Sequence, residues 1–123
     1  RDLMVYRLRN RDGGTDPASA GTLVEADGRA RPLAADGFAL EVLDHWSSPR
    51  DGARYPSRWR LRVPSAAIDV EITPEMPDQE LDLTFRYFEG ASRVTGTSGS
   101  ARVTGHGHVE LTGYAPAVAE IGR

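Results

Sequence analysis

Two glutamates, Glu89 and Glu110, stand at the ends of apolar runs within residues 81–114 and are the residues best suited to do chemistry. The run Leu81, Leu83, Phe85, Tyr87, Glu89 follows the two-residue period of a strand, with Asp82, Thr84 and Arg86 on the opposite face. By that spacing Glu89 points where the aromatics point. A carboxylate on an apolar face must be paired, hydrogen-bonded or neutral, because an isolated buried charge is too costly. Two such groups lining one apolar cavity make an acid and base pair; the bland alternative is that each accepts hydrogen bonds from backbone or an arginine and closes one end of the fold.

A second constellation lies on the last strand-like run. His106, His108 and Glu110 alternate on one face, with Val103, Gly105, Gly107, Val109 and Leu111 on the other. Two imidazoles and a carboxylate at that spacing fit a metal, but the pattern equally describes a polar face turned to solvent, and the expectation is no metal and no cofactor. Tyr6, Trp46, Trp59, Phe85, Tyr87, His108 and Tyr114 are the candidates for gripping an apolar ligand. The aromatics among them could instead simply fill a core. No nucleophile elbow and no phosphate-cradling glycine loop before a helix is present, which disfavours hydrolase and nucleotide-binding readings.

The elements that must position these groups are strands. Leu3 to Arg9 alternates, Asp27-Gly28-Arg29 marks a hairpin between residues 21–26 and 30–33, and residues 38–46 form a longer run. The clearest pattern is Trp59, Leu61, Val63 against Arg58, Arg60, Arg62, answered beyond Pro64 by Ile68, Val70, Ile72 against Asp69, Glu71. If Val63 faces Ile68, Arg62 meets Asp69 and Arg60 meets Glu71. Ser98-Gly99 marks a last tight hairpin. A 3.6-residue period persists nowhere, so the fold class is all-β: about eight antiparallel strands in a barrel or strongly curved meander, with a sandwich as second choice.

Composition bounds the rest. The 123 residues carry 39% hydrophobic and 27% charged residues, enough for one domain with a modest core. All 15 basic residues are arginine, interleaved with acids, and the net charge is -3, which does not indicate a nucleic-acid surface. There is no cysteine, hence no disulfide and no redox clue. The chain enters a strand-like run at Leu3, an expected sign of a piece of a longer protein.

Several short pieces together resemble the C-terminal lipocalin-like domain of the carotenoid hydratase (CrtC) and AttH-like family: Leu3-Met-Val-Tyr-Arg7, Asp16-Pro17, Gly21-Thr22-Leu23, Trp46 with Ser48-Pro49, Gly52 with Tyr55-Pro56, Trp59, Tyr87-Phe88-Glu89-Gly90, and Gly107 to Tyr114. The chain departs from the family pattern at Phe88, where a tryptophan is usual, and at His108, where a tyrosine is. The resemblance implies two lipocalin-like barrels in tandem, with residues 1–114 matching the second and its opening strand missing; residues 115–123 carry no partner signal and read as a tail. The resemblance also implies large apolar small-molecule ligands, and activities such as hydration of an isoprenoid double bond or polyene cyclisation, for which Glu89 and Glu110 would supply acid and base. A non-catalytic carrier, or a scaffold for a companion N-terminal barrel or a second copy, is the alternative. A periplasmic or secreted location follows from the resemblance alone.

Overall fold

A computed structural model describes residues 1–115, and every strand pairing in it is antiparallel. Strands β1 (Asp2–Tyr6), β2 (Ala20–Val24) and β3 (Ala30–Leu33) form a small sheet in that order. Strands β4 (Ala39–Ser47), β5 (Arg54–Val63), β6 (Ile68–Pro74), β7 (Glu80–Asp82), β8 (Arg86–Ser98) and β9 (Ala101–Leu111) form the larger one. It is a meander, β4-β5-β6-β8-β9, with β7 pairing the start of β8 beside the end of β6. The all-β reading holds. Closure into a barrel is not observed, since among the described residues no ladder joins β1 to β9 or β3 to β4.

The β5–β6 hairpin has the expected register: Val63 faces Ile68, Arg62 faces Asp69, and Arg60 faces Glu71. A one-residue slip would turn Trp59, Leu61 and Val63 out of the core, which is why the alternation fixes it. The charges, however, pair one step off. Arg60 makes a two-pronged contact with Asp69 at 2.8 and 2.6 Å, while Arg58 reaches Glu71 at 3.9 Å and Arg62 reaches Glu41 at 4.0 Å. Strand twist brings diagonal neighbours within reach of long side chains. The chain turns the corner through a short 3-10 turn at Pro64–Ala66, followed by Ala67 in the left-handed region at φ 52°.

The run from Leu81 to Glu89 is not one strand. It folds back on itself, with Leu81 opposite Tyr87 and Asp82 opposite Arg86, so Leu83 and Phe85 fall in the turn and are 67% and 61% exposed. Phe88, on the other face of β8, is the residue that enters the core. The two-residue period correctly gives Tyr87 and Glu89 one face, but it is the outer face. The last hairpin turns one residue later than expected, with Ser98 paired to Ala101 across Gly99 and Ser100. Residues 116–123, which hold nearly all of the expected tail, lie outside the described residues.

Two apolar clusters hold the fold. Leu33, Phe38, Leu61, Val63 and Val70 form the first, and Leu3 and Val5 of β1 pack against it from the small sheet. Ala53, Tyr55 and Phe88 form the second, flanked by Trp46, Leu111 and Tyr114.

Candidate functional site: an apolar cleft between the two sheets

Because β1 and β9 are not paired to each other, a cleft of about 1220 Å³ opens between the small sheet and the large one. Its inner wall includes Val42, Trp59, Leu61, Val70, Ile72 and Val94, the inward members of the alternating runs on β4, β5, β6 and β8. Val103, Gly105, Gly107 and Val109 continue that wall on β9. A Cβ at Gly105 would meet no atom within 4 Å, and one at Gly107 would touch only Val94, at 3.5 Å. These glycines leave the cleft wide.

Arginines bridge the cleft where backbone does not. Arg1 donates to Ser98 Oγ at 3.0 Å, and Arg9 donates to the Thr112 carbonyl at 3.2 Å while its guanidinium lies 3.8 Å from the centre of the Tyr114 ring. The ends of β1 thus meet the two ends of β9 in the same order, so the two strands run in the same direction. Arg7 reaches the Leu40 carbonyl on β4 at 2.9 Å.

The candidate residues divide between this cleft and other places. Tyr6, Trp59, His108, Glu110 and Tyr114 border it. Trp59 is 4% exposed and stands in the wall, whereas His108 and Glu110 belong to the outer face of β9, which borders the cleft because that strand is its margin. Trp46 instead packs in the second cluster, 5.9 Å from Tyr55 and 6.4 Å from Phe88, ring centre to ring centre. Phe85 and Tyr87 lean on each other outside, at 5.3 Å. Glu89 lies directly opposite Glu110 in the β8–β9 ladder, and its Oε1 is 3.0 Å from His108 Nε2. His106, His108 and Glu110 share a face as their spacing predicts, but among the described residues no three His, Cys, Asp or Glu side chains converge as metal ligands would.

Sequence reasoning missed the most heavily bonded carboxylate. Glu80 of β7 has a side chain with no exposed surface, accepting hydrogen bonds from Tyr55 Oη at 2.5 Å, Ser48 Oγ at 2.7 Å and Arg50 Nη1 at 2.7 Å. Arg86, itself bonded to Asp51, stands 3.9 Å away. Burial pushes the Glu80 carboxyl up, and the three hydrogen bonds with the Arg86 charge more than reverse this, leaving it below its ordinary value. Burial, then the bond to Glu80, pushes the Tyr55 phenol far above its own. With three of its four lone-pair sites engaged and no exposed surface, this carboxylate clasps the Ser47–Ala53 turn, β5 and β7 together. Ser48, Gly52 and Tyr55 had stood out only as pieces of a family resemblance.

The geometry defines an antiparallel β domain folded round an open apolar cleft. Residues 1–114 match the family model described as AttH-like, and the chain belongs to the AttH-like family. It is similar to the crystal structure of a protein assigned as an AttH from Nitrosomonas europaea, at 33% identity over 92% of this chain and 35% of that one, with a TM-score of 0.76. It also shares its fold with kievitone hydratase from Nectria haematococca, at 19% identity over 89% of this chain and 34% of that one, TM-score 0.71. The chain therefore spans about a third of the length of these two structures. No curated protein matches.

Proposed function

We propose that this domain is a lipocalin-like module that holds a large apolar small molecule in the cleft between its sheets. The observation that carries this is the cleft wall itself: a space of about 1220 Å³ faced by Trp59, Leu61, Val70 and Val94, with glycines at 105 and 107 where side chains would have filled it. Ligand sites are characteristically concave and mainly apolar, with few polar groups. In this reading β1 and β9 are the facing walls of a lipocalin-like barrel. The domain works beside a companion domain or a second copy, in keeping with the greater length of the structures it resembles.

Trp59 reports on the cleft directly. In Trp46→Phe it is the only indole left, and titration with a neutral polyene such as methyl parinarate is expected to quench its fluorescence to saturation. Absence of saturable quenching would remove the proposal.

A second reading, that the domain forms part of a hydratase, draws on the fold shared with kievitone hydratase, on the motif resemblance to carotenoid hydratases and on one geometric fact: His108 and Glu110 stand at the cleft margin, with Glu89 beside them on the outer face. Hydration of an alkene needs a group that gives a proton to one carbon and a second that takes a proton from the water adding to the other. Water addition to a polyene, seen by mass spectrometry and lost in both Glu89→Gln and Glu110→Gln while binding persists, supports it. Binding without turnover leaves the carrier.

A further inference from the structure

We propose that the molecule held in the cleft carries an anionic head group, a carboxylate in the simplest case, and that Arg7 receives it. This rests on the reading that the cleft holds an apolar ligand and adds what its polar end must be.

Arg7 follows Leu3 and Val5 at two-residue spacing, the residues of β1 that pack onto the core. Its Nη1 donates to the carbonyl of Leu40, a residue of the other sheet, and both border the cleft. The guanidinium is therefore laid across the cleft from one sheet to the other. Nine arginines are matched with acids, among them Arg1 with Glu25 at 2.6 Å, Arg50 with Glu80 at 2.7 Å and Arg60 with Asp69 at 2.6 Å; of those without an acid partner among the described residues, Arg11, Arg54 and Arg102 lie away from the cleft, and Arg7 and Arg9 border it. Arg7 has no such partner among the described residues, and the Leu40 carbonyl engages one of its five N–H groups.

Arg9, two residues on, also lacks an acid; it lies on the Tyr114 ring and bonds the Thr112 carbonyl. Two arginines just beyond β1 thus border the cleft with no ion-pair partner among the described residues. Of the acids that border the cleft, Asp2 is at the far end of β1, and Glu110, two residues before Thr112, is on the outer face of β9. Both arginines are exposed and open to a ligand entering the cleft, and the planar guanidinium fork matches a carboxylate with two parallel hydrogen bonds. An apolar tail against Trp59, Leu61 and Val94 with its acid group at Arg7 satisfies the wall and the fork alike.

The test compares parinaric acid with its methyl ester, read by Trp59 quenching in the Trp46→Phe protein. The acid is expected to bind about tenfold tighter than the ester, the worth of one charge-assisted hydrogen bond. Arg7→Met should bring the acid to within about twofold of the ester, with saturable ester binding by the same variant certifying that it folds; Arg7→Lys should keep part of the preference. Independently of any change at Arg7, added salt should weaken the acid and spare the ester. Equal binding of acid and ester, a preference that survives Arg7→Met, or acid binding indifferent to salt overturns the head-group assignment and leaves the apolar cleft standing. If neither probe quenches Trp59, both readings fall together.

Discussion

Glu110 lies directly across the β8–β9 ladder from Glu89, so two carboxylates share one stretch of the outer face, and the His108 imidazole meets only the Glu89 side of the pair. Like charges placed opposite each other on a sheet destabilise it. Glu110→Gln is therefore expected to raise stability by about 0.2–1 kcal/mol, seen as a higher urea midpoint with an unchanged slope. A lower midpoint would mean that Glu110 has a favourable partner that the ladder geometry does not show.

The Glu80 clasp predicts how stability depends on pH at both extremes. Glu80, Asp51 and Asp69 have pKa values held below their ordinary ones, so the stability they add is present above the unfolded values, about pH 4, and is lost as pH falls through them towards the folded values. Tyr55 is the opposite case. Its folded pKa is raised, so its share is complete below about pH 10 and is lost as pH climbs beyond it. Tyr55→Phe should lower stability at neutral pH by about 1.5–3 kcal/mol, the worth of a hydrogen bond to a charged group, and flatten the alkaline limb. Glu80→Gln should shrink the acid limb. Urea midpoints across the pH range check all three, and a Tyr55→Phe protein that keeps its alkaline lability contradicts the assignment.

Glycines on neighbouring strands predict opposite outcomes. A side chain at Gly96 would come within 2.2 Å of the Asp69 carbonyl, forcing β6 and β8 apart, so Gly96→Ala should cost about 1–3 kcal/mol. Gly105 faces open space, and Gly105→Leu should fold at least as well as the parent while weakening methyl parinarate binding by about tenfold or more, since it occupies the ligand's volume. Undiminished binding in Gly105→Leu would move the ligand out of the cleft.

What the sequence disclosed follows from how local each feature is. The β5–β6 register was legible because Trp59, Leu61 and Val63 alternate with three arginines, and only one pairing buries them all. The β7–β8 turn was not, because Leu83-Thr84-Phe85 has no glycine, proline or asparagine to announce it. Periodicity says which residues share a face but not which face is inside, and this is why Tyr87 and Glu89 were expected to point inward. Glu80 was invisible for another reason. Its partners Ser48 and Tyr55 are 32 and 25 residues away, and nothing in the local pattern of a proline-bounded connection distinguishes a buried acid from a solvated one. The cleft depends on β1 and β9, the two most widely separated strands of the chain, and no spacing rule reaches that far.

The arginine bridges along the cleft have one more consequence. Among the described residues no backbone ladder joins β1 to β9, and the hydrogen bonds that span the seam, Arg1 to Ser98 and Arg9 to the Thr112 carbonyl, are all donated by arginine side chains. Those bonds break by rotation about side-chain torsions, whereas every other junction within the two sheets is a strand ladder whose loss would cost paired backbone groups their partners.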